Sequence, residues 1–211
     1  MPGTMPTAAG SSYGVPPPGA VLRRFTVEEY HRLIGQGYFA ADERYELLNG
    51  FIVRKMSRDP IHDAALEIAS EVIRSRVPAG WRIRIQSAIA TADSEPEPDM
   101  AIVRGTPQDH VTRHPGPGEL AIVVEVANTS LNDDRTVKGA LYARASIGVF
   151  WIINLIDRRV EVYTDPTGPD STTAYRHRED YGIGLAVPLT VGTAVASVPI
   201  SELLPSALYS A

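Results

Sequence analysis

Apolar positions recur along this chain with a helical period in some stretches and a strict alternation in others, and the changes of period mark its elements. Ile61, Ala64, Ala65, Ile68, Ala69, Val72 and Ile73 form an unbroken stripe, which predicts a helix over about 60–76 with Asp59 as N-cap and Pro60 in its first turn. Upstream, Thr26 and Glu29 fit a capping box ahead of Val27, Tyr30, His31 and Ile34, a shorter helical face closed by Gly35 and Gly37. Tyr45–Leu48 and Phe51–Val53 flank Asn49-Gly50, a strong hairpin signal. From Trp81 to Gln86 the chain alternates, with Trp81, Ile83 and Ile85 on one side and Arg82, Arg84 and Gln86 on the other.

Two short apolar runs follow, Met100 to Val103 and Leu120 to Val126, and both read as buried strands. Between them residues 104–118 hold three prolines and three glycines without periodicity, a loop expected beside any site the strands build. His110 and His114 stand four apart in that loop, but zinc binding at this spacing needs a helix, which such a loop does not offer. A helix is expected over about 134–146, with Asp133 or Asp134 as its cap, then strands at 149–153, 160–163, 173–179 and 185–189 and a short final helix near 199–204. The order helix, three strands, helix, strand over 60–153 is an α/β arrangement around one mixed sheet. Residues 1–20 carry five prolines, four glycines and few large apolar side chains, so a disordered tail precedes one expected domain over 21–211.

The chain has 211 residues, 44% of them hydrophobic, enough for a sizeable core. With no cysteine, thiolate metal sites and disulfides are excluded; with no long apolar run either, a soluble cytoplasmic protein is the expectation and no membrane partner is. The net charge of -5 argues against a generic nucleic-acid binder, so any binding of DNA is expected to be weak and salt-dependent.

Candidate chemistry lies at the ends of the two buried runs, where Asp99 and Glu125 sit. Acids seldom occupy such positions unpartnered, and neighbouring strands lie only about 5 Å apart, so the two carboxylates can converge. Converging carboxylates repel unless a proton or a cation intervenes. Lys138 shares a helical face with Leu141, Tyr142 and Ala145, which turns its stem inward. It is one of only two lysines beside eighteen arginines. An amine can do what a permanently charged guanidinium cannot, because it can lose its proton.

Asp99 after Pro98, Glu125 in a strand and an inward lysine resemble the PD-(D/E)xK nuclease superfamily. The wider frame RYELLNG, HDAALEIA, PDMAIV, VVEVANTS, Lys138 with ALYARASIGVFWII, and VEVY resembles its Uma-type family of restriction endonucleases over roughly residues 25–204. Ala127 stands where the superfamily motif carries its lysine, and the Uma-type pattern moves that lysine to the following helix, at Lys138. Asn128-Thr129 replaces the family's usual Ser-Pro. The resemblance implies a restriction-endonuclease-like core, with a central mixed sheet flanked by helices and an N-terminal helix and hairpin. It also implies an active site in which Asp99, Glu125 and a main-chain carbonyl near Val126 hold Mg²⁺ or Mn²⁺. Lys138 would position or activate water, and Glu46 and Gln86 would make polar contacts nearby. Glu46 has the competing reading of a solvent-facing strand glutamate. His62 matches a recurrent family histidine, yet a capping or surface role is the expectation for it. The implied activity is DNA phosphodiester hydrolysis, carried out by a homodimer if both strands are cut. The alternatives are a non-catalytic interaction module on the same fold and a metal phosphodiesterase acting on RNA or nucleotides. As a purely structural set, Lys138 would simply pair with Asp134 one turn away.

Overall fold

A computed structural model describes residues 21–40, 42–55, 58–169 and 172–206; the tail expected at 1–20 lies outside the described residues. The first helix, α1 (Val27–Gly35), starts as its sequence dictates, with Thr26 Oγ1 accepting from the Glu29 amide and the Glu29 carboxylate accepting from the Thr26 amide. Strands β1 (Tyr45–Leu48) and β2 (Phe51–Arg54) pair around Asn49 and Gly50, whose φ values of 53° and 77° suit the tight hairpin that Asn-Gly specifies. The long apolar stripe becomes α2 (Pro60–Arg74), capped by Asp59, with Ala65, Leu66, Ala69 and Ile73 buried.

Strands β3 (Trp81–Ile85), β4 (Met100–Arg104), β5 (Leu120–Ala127), β6 (Val149–Asn154), β7 (Arg159–Pro166) and β8 (Tyr175–Gly182) form one mixed sheet in that order. All neighbours are antiparallel except β5 and β6, which are parallel. A parallel pair requires a crossover, here the helix α3. This helix joins Leu131–Asp133, a π-helical turn Asp134–Lys138 and Gly139–Arg144. It therefore begins before the expected cap at Asp133 or Asp134. The Asp134 carboxylate accepts from Ser130 Oγ at 2.6 Å inside the helix. Gly139 faces the sheet, where a Cβ would make ordinary contacts with the Asp134 carbonyl at 3.4 Å and the Phe150 ring at 3.7 Å.

Two cores result, one on each sheet face. Ile83, Met100, Ile102, Ile122, Val124, Val126, Trp151 and Ile153 pack against α2, against the hairpin β9 (Ala186–Val191) and β10 (Ala194–Pro199), and against the last helix, α4 (Ile200–Leu203). Strand β10 was not among the expected elements. On the other face Ala101, Val103, Val123, Phe150 and Ile152 meet Leu141 and Tyr142 of α3, with Leu48 of the first hairpin in the same cluster. Alternation along β5 assigns Glu125 to this second face, with Val123 and Ala127. No helix among the described residues is long and apolar enough to cross a membrane.

Candidate active site

The antiparallel register of β4 and β5 pairs Met100 with Val124, so the next step out brings Asp99 opposite Glu125 on one face of the sheet. The two acids meet through backbone amides: the Asp99 amide lies 3.3 Å from Glu125 Oε2, and the Val126 amide donates to Asp99 Oδ2 at 2.9 Å. At Val126 it is thus the N–H that meets the acid. From α3, Lys138 Nζ reaches Glu125 Oε1 at 2.9 Å and Glu46 Oε1 at 4.0 Å. The pairing of Lys138 with Asp134 expected for a structural set is replaced by these two contacts. One turn on, the Tyr142 hydroxyl donates to Glu125 Oε1 at 2.6 Å.

Two residues read cautiously from sequence lie inside the site. Glu46 is buried, not solvent-facing, and accepts from the Glu97 amide at 3.0 Å. His62 is buried as well: its amide takes the Asp59 cap, while its Nε2 stands 3.0 Å from Asp99 Oδ2. The expectation of a capping or surface role is right only for its backbone. Gln86 does not line the cleft; it follows β3 at a positive φ of 47°, where its amide donates to the Asp99 carbonyl. The 104–118 loop does not line it either, and Arg82 turns to His110 at 3.0 Å. His62 and Tyr142 are the residues that sequence reasoning undervalued. For Tyr142 a signal existed, since a tyrosine one turn from an inward lysine on a buried face needs a partner for its hydroxyl.

Glu46, His62, Asp99, Glu125, Asp134 and Lys138 line one cleft of ≈ 520 Å³. Burial opposes the charge on Asp99, but the His62 hydrogen bond and charge, the Val126 amide and Lys138 outweigh it and hold the carboxyl below its usual range. Glu125 goes the other way. Burial pushes its pKa up to about 8; Lys138 pulls against this, while the charges of Asp99 and Asp134 add to it. Burial likewise lifts Asp134 to about 6. Lys138 is disfavoured by burial, yet Glu125, Glu46 and Asp134 more than offset that, and its pKa is raised. The amine therefore stays protonated.

The donor set is four carboxylates and one imidazole around a charged amine. Glu125 is an acid whose compensation is incomplete, and carboxylate oxygens are the ligands that hard divalent cations take. The residues present thus fit a Mg²⁺- or Mn²⁺-class ion. Arg44, Arg54, Lys55 and Arg58 line the same cleft, each ion-paired with an acid.

The model of the Uma2 family, described as "Putative restriction endonuclease", matches residues 27–195. Among solved structures, the fold resembles that of "a putative nuclease belonging to DUF820" from Anabaena variabilis ATCC 29413, with a TM-score of 0.60 and 19% identity, covering 85% of this chain and 97% of that one. No curated protein matches the chain.

Proposed function

We propose, for a chain that belongs to the Uma2 family of restriction-endonuclease-like proteins, that the cleft hydrolyses DNA phosphodiester bonds with a divalent cation held by Asp99 and Glu125. The observation that carries this reading is the meeting of Asp99 and Glu125, two buried acids from adjacent strands, with Lys138 and His62 in one cleft, where burial raises the pKa of Glu125 although an amine and a phenol already touch it. A site that strains an acid in this way favours a cation beside it.

A bound Mg²⁺ or Mn²⁺ supplies Lewis acidity toward the phosphate and lowers the pKa of water. The chain's own groups do the rest. His62 and the Val126 amide hold one Asp99 oxygen in place. Tyr142 and Lys138 do the same for Oε1 of Glu125. The raised pKa of Lys138 speaks against a general base and for an ammonium that offsets charge building on phosphate and orients the attacking water. Arg44, Arg54, Lys55 and Arg58 supply phosphate contacts along the cleft. Because each is already paired and the net charge is -5, DNA binding is weak and falls steeply with salt. The active form in this reading is a homodimer, one site for each strand.

The test is a nuclease assay with Mg²⁺ and Mn²⁺ on supercoiled, linear and single-stranded DNA, on RNA and on a dinucleotide, beside Asp99→Ala and Lys138→Ala. DNA cleavage that requires metal and disappears in both variants is expected. Equal cleavage by Asp99→Ala rejects the site; turnover of RNA or dinucleotide alone assigns a different phosphodiesterase; no turnover and no Mg²⁺ binding leaves an interaction module.

A further inference from the structure

A second constellation of ligating side chains lies away from the cleft. His31 on α1, Glu95 in the β3–β4 connection and His114 in the β4–β5 loop bring one ligand atom each to within 4.8 Å of one another. His31 Nε2 is 2.7 Å from Glu95 Oε2, and His114 Nε2 is 3.7 Å from Glu95 Oε1. The two imidazole planes stand at 73°, their centroids 6.3 Å apart. Ligands with zinc bonds of about 2.0–2.1 Å in a tetrahedron are spaced by about 3.3 Å; with the three ligand atoms already within 4.8 Å of one another, side-chain shifts of roughly an ångström bring all three onto one ion.

Glu95 is the buried member of the set. It is 4% exposed, and its ion-pair partners among the described residues are the two imidazoles, with no lysine or arginine among them. A buried carboxylate needs a compensating charge or donors. The zinc reading set aside from sequence paired His114 with His110, whereas the fold turns His110 toward Arg82 and Glu119 and gives His114 new neighbours in His31 and Glu95.

We propose that His31, Glu95 and His114 form a second metal site, one that takes Zn²⁺ or a similar first-row ion in preference to Mg²⁺. Two nitrogen ligands and one carboxylate suit zinc, whereas Mg²⁺ demands oxygen. The half-exposed side of His31 leaves the fourth position to water. The three ligands come from three distant segments, so the ion clips α1 and the β4–β5 loop to the strand-like stretch 94–97. The Glu95 amide in that stretch donates to the Leu47 carbonyl, and the Glu97 amide holds Glu46. The site thus braces one wall of the cleft from outside, and it stands whether or not the cleft cleaves DNA.

Titration of the full-length metal-free protein with Co²⁺ in excess Mg²⁺, followed by visible absorption, tests this. One Co²⁺ per chain is expected, with the intense spectrum of four-coordinate geometry, displaced by Zn²⁺. His31→Ala, a change at an exposed helix position, and His114→Ala should each weaken binding more than about 100-fold, beyond what loss of an outer-shell partner costs. Asp99→Ala should leave it intact. Absence of Co²⁺ binding in Mg²⁺, full affinity in His31→Ala, or loss of binding in Asp99→Ala overturns the assignment.

Discussion

Glu125 and Glu161 occupy one row of the central sheet, on either side of Ile152 and on the same face, and both are buried. Their charges are treated in opposite ways. Around Glu161, Arg135 donates from Nε at 3.0 Å and again from Nη2, Asn154 donates at 2.7 Å, Tyr163 at 2.7 Å, and Arg178 stands 3.3 Å away. Burial works against that carboxylate, but these partners overcome it and bring its pKa down to about 2. Glu125 has one amine and one phenol on one oxygen and a long amide contact on the other, and its pKa rises to about 8. Both side chains are shielded from solvent, but Glu125 is the more deeply enclosed and has the fewer donors, and both differences push the pKa values of the two acids apart. A satisfied buried acid belongs to the scaffold, and an undercompensated one in an open cleft marks where a ligand's charge completes the set.

The contrast is broken most severely by neutralising each acid in turn. Glu125→Gln should reduce metal-dependent cleavage by roughly 10³-fold, the several kcal/mol that a positioned cation contributes to such a reaction, while urea unfolding at neutral pH shows no loss of stability. Glu161→Gln should do the reverse. It should cost about 2–3 kcal/mol in urea unfolding, by leaving Asn154 and the two arginines facing an amide, with cleavage per folded molecule preserved. If the two variants trade these phenotypes, the assignment of scaffold and site is wrong.

Next in size is the pH dependence of metal-free stability. Folded Glu125 keeps its proton up to about 8, whereas an ordinary carboxyl releases it near 4.5, so the folded state binds the extra proton between these values and stability falls as pH rises through the window. Glu161, lowered to about 2, contributes stability that is present above about 4.5 and is lost as pH falls toward 2. Urea titrations across pH should show both limbs in the wild type. Glu125→Gln or saturating Mg²⁺ should flatten only the upper limb, and Glu161→Gln only the acid one. The smallest effect is expected from Tyr142→Phe. It removes one donor from Glu125, should cost about 1 kcal/mol, and should move the upper limb to higher pH.

Much of this was legible in the chain before folding. Hydrophobic period located α2 and the strands of the two buried runs, Asn49-Gly50 specified its hairpin, and Thr26 and Asp59 announced their caps. Within the site, Asp99, Glu125 and Lys138 could be picked out because charge at the end or on the face of an apolar pattern needs a reason. His62 and Glu46 were ambiguous, since their burial depends on which neighbours cover them. Gln86 shares a strand face with Arg84 by alternation, yet a positive φ at the strand end removes it from that pattern. Strand β10 carries small residues and little periodicity, so its pairing with β9 had no local signal.

Local pattern by itself therefore determined which segments are helix or strand and which acids are out of place, because periodicity and capping act over a few neighbouring residues. Only the tertiary structure decided which acid is compensated and which is not. Arg135 and Lys138 lie within one turn of each other on α3, yet one goes to Glu161 and the other to Glu125. That choice follows from the π-helical turn and from the way α3 seats across the sheet. The same holds for His31, Glu95 and His114, whose separation along the chain conceals a distance of a few ångströms in space.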